Sequence, residues 1–81
     1  MKIHVETTDE LSSLLPGSGE ETTLELRDSA SPHDALAALG ISKDDKYLLV
    51  VNGAVVPRAE RDELIMNDGD TLQILPPLKG G

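Results

Sequence analysis

The chain has 81 residues and a formal net charge of −8, from 15 acidic against 7 basic side chains. That length makes one domain with only part of its surface buried, too small for a large active-site cleft. Its negative field repels phosphate backbones and anionic lipid, which argues against nucleic acid and membrane partners.

There is no cysteine, so disulfides, thiolate metal ligands and an internal sulfur nucleophile are excluded, and any sulfur the protein handles must come from elsewhere. No apolar run approaches a membrane span, and the segment Met1 to Glu6 does not read as a leader, which suggests a cytoplasmic protein. Phe and Trp are absent and Tyr47 is the single aromatic residue, so the expected core is thin and Leu-rich.

Residues 2 to 7 alternate, with Ile3 and Val5 apolar between Lys2, His4 and Glu6, which predicts a half-buried strand. Thr8 then offers a capping oxygen ahead of Asp9 and Glu10, and Leu11, Leu14 and Leu15 follow at helical spacing, predicting a short helical turn. Pro16-Gly17-Ser18-Gly19 ends it. A second alternating run, with Leu24 and Leu26 facing inward, predicts strand two.

Ser31-Pro32-His33-Asp34 is the strongest local signal: a serine cap, proline at the first helical position, and an acid that suits both free amides and the helix dipole. Ala35, Leu36 and Leu39 form one apolar stripe, and Gly40 is placed to close the helix in the left-handed conformation. Lys43-Asp44-Asp45-Lys46 reads as a solvated loop. The apolar run Tyr47 to Val51, the Asn52-Gly53 pair and Ala54 to Val56 predict a hairpin stopped by Pro57. Residues 58 to 64 leave room for a helical turn, Asn67-Asp68-Gly69-Asp70 is a turn, and Thr71 to Leu75 is the last strand.

Beyond it, Pro76 and Pro77 have fixed φ and no amide hydrogen, so the strand cannot continue its ladder. Gly80 and Gly81 can enter a channel too narrow for side chains and carry a carboxylate to a reactive centre. Residues 1–76 therefore read as the domain and 77–81 as a flexible C-terminal tail.

Other chemistry finds little support. His4 and His33 are separated by a strand and a long loop, and no cysteine assists them, so no metal site is expected. The Asp68-Gly69-Asp70 turn lacks the spaced acids of a calcium loop. Ser12, Ser13 and Ser18 have no triad partners, and Gly17-Ser18-Gly19 is too short to cradle a phosphate.

The order strand, strand, helix, strand, strand, strand matches a β-grasp. The fold class is thus α+β, a ubiquitin-like mixed sheet of about five strands with one main helix on one face. Val50-Val51-Asn52-Gly53-Ala54-Val55-Val56-Pro57-Arg58, Asn67-Asp68-Gly69-Asp70 and Gly80-Gly81 together resemble the ThiS/MoaD family of ubiquitin-like sulfur carriers. Val56-Pro57-Arg58 is closer to the thiamine-pathway members and Pro76-Pro77 to the molybdopterin-pathway members, so the pathway stays open.

The resemblance implies a co-substrate, not an enzyme. An E1-like adenylyltransferase using ATP and Mg would adenylate Gly81. A sulfurtransferase or cysteine desulfurase would then supply the sulfur of a thiocarboxylate, for delivery to a sulfur-accepting enzyme of cofactor, amino-acid or tRNA sulfur biosynthesis. The carrier would bind no cofactor itself and be a monomer when free. Gly80, Lys79 and Leu78 would thread the activating enzyme. Lys79 departs from the small or apolar residues of sulfur carriers and resembles the basic tail of ubiquitin. Protein modification through isopeptide bonds at Gly81 therefore remains an alternative, as does a β-grasp binding module with an incidental tail.

Strand alternation predicts the docking face. An Asn52-Gly53 turn sets Val51 opposite Ala54, Val50 opposite Val55 and Leu49 opposite Val56. Leu49, Val51 and Val56 are assigned to the core with Leu72 and Ile74, leaving Val50, Val55 and Leu75 on the outer face, where ubiquitin-like proteins commonly present an apolar patch to partners. Acidic residues around it would orient the carrier on a basic partner.

Overall fold

In the computed structural model, residues 1–42 and 46–77 are described. The order is β1 (Lys2–Thr7), a 3₁₀ turn (Asp9–Leu14), a second (Pro16–Ser18), β2 (Glu21–Glu25), α1 (Pro32–Ala38), β3 (Leu48–Val51), β4 (Ala54–Val55), a third 3₁₀ turn (Arg58–Glu60) and β5 (Thr71–Leu75). One mixed sheet forms in the order β2-β1-β5-β3-β4. β1 and β5 lie parallel at its centre and the remaining pairs are antiparallel, which is the ubiquitin-like β-grasp.

The helix is specified almost entirely by local chemistry. The Ser31 hydroxyl accepts from the Asp34 amide at 3.3 Å, and Asp34 accepts in return from the Ser31 amide at 2.8 Å, a complete capping box. At the other end Gly40, with φ of 76°, sends its amide to Ala37 O while Ile41 sends its own to Leu36 O. That is the Schellman pattern, with Ile41 and Leu36 both buried in the core. Seven residues suffice because the caps satisfy both ends and Ala35 and Leu36 are buried.

Strand alternation sorts the sheet into two faces. Ile3, Val5, Leu49, Leu72 and Ile74 are fully buried under Leu36 and Met66, with Leu24, Leu26 and Val51 packed at the margin. Asn52 and Gly53 both have positive φ, 50° and 85°, the geometry of the tight hairpin turn that matches strand twist. Their turn is tied to the Asn67–Asp70 turn: Asn52 Nδ2 donates to Asp70 Oδ1, and Asn52 Oδ1 accepts from the Thr71 amide, each at 2.9 Å.

Two local expectations are corrected. Thr8 precedes the first 3₁₀ turn but makes no capping bond, and its buried Oγ1 has no partner. β4 stops at Val55; Val56 turns inward and gives its amide to Leu49 O. Val51 packs against the core cluster as expected but is only half-buried, at its margin beside the two-residue edge strand β4.

Candidate functional site

Leu78, Lys79, Gly80 and Gly81, the residues expected to thread and react, lie outside the described residues. The site is therefore built from the root of the tail and the sheet face beside it. β5 is the central strand that leads to the tail, paired with β1 on one side and β3 on the other. Its last ladder partner is Leu48, opposite Leu75. Pro76 and Pro77 then end the ladder, since neither has an amide to donate. Thr7 Oγ1 donates to Ile74 O at 2.6 Å, fixing the last turn of the pleat before the prolines.

On the outer face the registers align one row across all five strands: Glu21, Glu6, Gln73, Val50 and Val55. The row is acidic on the β2 side and apolar on the β4 side. Leu48 and Leu75 pair in the next row of the same face, so the apolar half comprises Leu48, Val50, Val55 and Leu75. The predicted docking residues Val50, Val55 and Leu75 thus share a face, and Leu48 joins them.

They differ in accessibility. Val55 is 58% exposed, Leu75 is half-buried, and Val50 is only 7% exposed. Val50 sits between Gln73 and Val55 in the row, on an inner strand with a neighbour on each side. Contact from this face would therefore fall first on Val55 and Leu75. A cleft of about 250 Å³ continues the apolar surface over the β4 edge, lined by Val51, Ala54, Val55, Val56, Pro57 and Leu64, with Glu60 as its one charged residue.

The acidic half holds a cluster that spacing along the sequence did not disclose. His4 Nε2 lies 3.1 Å from Glu6 Oε2 and 2.9 Å from Glu21 Oε1. His33, the other imidazole, has its amide bound to Arg61 O and takes no part. Beside the cluster is a cavity of about 390 Å³ lined by Glu6, Thr7, Thr8, Glu20, Glu21, Gln73 and Leu75. The acidic surface thus reaches the root of the tail.

Among the described residues, two charged groups have shifted pKa values. The backbone hydrogen bond from Ser31 holds the Asp34 carboxyl below its ordinary range, opposed by partial burial and helped by Arg27, whose Nη2 is 3.0 Å away. Arg61 is 5% exposed, and burial lowers its pKa, with the charge of Arg58 adding to the effect. Its Nη2 donates to Tyr47 O, while Nε and Nη1 are buried without partners. Neither group lines the cleft beside the apolar patch.

Among curated proteins no sequence matches the chain. Solved structures share the fold. Small archaeal modifier protein 1 from Haloferax volcanii superposes with a TM-score of 0.74 at 18% identity, covering 95% of this chain and 98% of that one. The thiamine biosynthesis protein ThiS from Geobacter metallireducens gives 0.68 at 23% identity, with both chains covered completely. A chain from the complex of subunits 1 and 2 of molybdopterin-converting factor from Helicobacter pylori gives 0.65 at 19%, again over 100% of both. At these identities the likeness shows the fold alone. No helix among the described residues is long and apolar enough to cross a membrane. The family model of the ThiS family matches residues 9–81, through the second terminal glycine, and the chain belongs to that family.

Proposed function

We propose that this protein is a sulfur carrier that works through the carboxylate of Gly81. The observation that carries the reading is the family match, which runs to Gly81 on a β-grasp whose central strand leads to the tail. In this reading an E1-like adenylyltransferase holds the tail beside ATP and Mg, and the Gly81 carboxylate displaces pyrophosphate to form an acyl adenylate. The terminal sulfur of a persulfide, supplied by a sulfurtransferase or cysteine desulfurase, displaces AMP, and a thiol releases the thiocarboxylate. A biosynthetic enzyme then accepts the sulfur.

The carrier itself needs no acid or base for these steps. Its contribution is a Gly80-Gly81 terminus that side chains do not obstruct and a sheet face that docks. The molybdopterin-converting factor of Helicobacter pylori, whose structure is a complex of subunits 1 and 2, supports a biosynthetic enzyme as one partner. Val55 and Leu75 would meet that partner with apolar contact while the acids on the β2 side set orientation.

A second reading is favoured by the likeness to small archaeal modifier protein 1, together with Lys79 beside the diglycine. There the same adenylate would be transferred to an amine, giving an isopeptide bond at Gly81. Both readings need activation of Gly81. Incubation with the activating enzyme, ATP and Mg should yield an acyl adenylate on the intact chain and none after deletion of Gly81, with the circular dichroism spectrum unchanged. Adenylate on the deleted chain would rule out both.

A further inference from the structure

His4, Glu6 and Glu21 meet because of strand register, not because of a loop. His4 and Glu6 are two residues apart on β1 and so share the outer face, and Glu21 on β2 stands directly opposite Glu6. The ligand atoms of all three lie within 4.8 Å of one another, and the His4 ring nitrogen is within 3.1 Å of both carboxylates. Donors bound to one ion at about 2.0–2.2 Å stand about 3.4 Å apart around a tetrahedron, so small side-chain rotations would admit it.

Other features favour a cation there. Glu6 and Glu21 are like charges facing each other across an antiparallel pair in a chain of net charge −8, with the His4 ring reaching both, and a divalent ion held by all three would offset their repulsion. Along the same face the next pair is His4 opposite Thr23, and beyond it Lys2 opposite Glu25 is already balanced. Gln73 Nε2 reaches Glu6 Oε1 at 3.4 Å, leaving Oε2 directed to the cluster. The adjoining cavity of about 390 Å³ is open to water and is lined by Glu6 and Glu21 themselves.

We propose that His4, Glu6 and Glu21 form a divalent zinc-type metal site, with one position left open toward the cavity. The donor set decides the ion class. One imidazole with two carboxylates suits zinc and its first-row neighbours, whereas calcium and magnesium prefer all-oxygen cages. The ion would neutralise the facing acids and tie β2, the edge strand, to β1. It uses no tail residue, so it stands apart from the chemistry proposed at Gly81.

Zinc chloride titrated calorimetrically into the full chain should bind saturably at one ion per chain, and the His4 ring signals in NMR spectra should shift while those of His33 do not. His4→Asn and Glu21→Gln, both at exposed or half-exposed positions, should each weaken binding at least about tenfold, because losing a ligand costs no less than losing an outer partner. His33→Asn and deletion of Gly81 should leave it unchanged. Absence of saturable binding at millimolar zinc, equal affinity in His4→Asn, or a comparable loss in His33→Asn would overturn the site.

Discussion

Thr7 and Ile74 are joined by a hydroxyl-to-carbonyl hydrogen bond of 2.6 Å across the central parallel pair, one residue before Leu75 and two before Pro76. The bond fastens the end of β5 where its own ladder must stop. Thr7→Val keeps the side chain's shape and removes the donor. It should cost about 1 kcal/mol of stability. Amide exchange should quicken at Leu75 while Leu72, buried in mid-strand, is unaffected in native-state exchange. Equal protection at Leu75 in both proteins would show that the prolines alone define the root of the tail.

The Ser31–Asp34 capping box gives the helix its dependence on acid. Asp34→Ala should destabilise the domain by about 1 kcal/mol at neutral pH. Because the folded carboxyl is held below its unfolded value of about 3.9, its contribution is complete above that value and is lost as pH falls through the lower folded one. The variant should therefore approach the parent in stability at the acid end of a pH series of denaturant titrations. A constant gap down to pH 2 would mean that the helix is held by something other than this carboxylate.

Arg61 is a buried cation that bonds Tyr47 O and leaves two donors unpaired. Truncation and neutralisation should therefore differ. Arg61→Ala removes packing and leaves the carbonyl unpaired, costing about 2–4 kcal/mol. Arg61→Met fills most of the space and removes a desolvated charge, so its cost should be smaller by at least about 1 kcal/mol. Equal losses in thermal unfolding would show that the hydrogen bond to Tyr47, not packing, is the main contribution.

The half-buried Leu75 separates docking from folding. Leu75→Asp places a charge on the outer face beside Leu48, outside the core cluster. Calorimetry with the activating enzyme should show at least about a tenfold loss of affinity, as for a truncated apolar anchor. The domain's circular dichroism should be retained. Unchanged affinity would place the contact elsewhere, with the Val55–Leu64 cleft as the next surface to test.

What could be read from the sequence was whatever local chemistry decides. The Ser31-Pro32-His33-Asp34 cap and Gly40 specify both ends of the helix, and Asn52-Gly53 fixes the β3–β4 register, so Val50 opposite Val55 follows from counting. The β1–β2 register has no such device. Between Thr7 and Glu21 the chain passes through two 3₁₀ turns, and nothing in their spacing says that Glu21 will face Glu6. His4-x-Glu6 was a partial signal, two ligands on one face, but its third member is visible only across the ladder. Arg61 reads as surface in a run of charged residues, and its burial depends on how the segment packs near Tyr47. The near-burial of Val50 likewise reflects its flanking strands and not its own alternation.

The central claim concerns the carboxyl of Gly81, and the most direct test is the intact mass of the protein isolated from its source. Replacement of one oxygen by sulfur adds about sixteen mass units. Fragmentation should assign the increase to the last residue, and alkylation of the thiocarboxylate should remove that species. Adducts joined to a lysine through Gly81, in the absence of any such species, would favour the modifier reading. A terminus that remains an unmodified carboxylate, with no adduct, in cells whose activating enzyme is expressed would contradict the account.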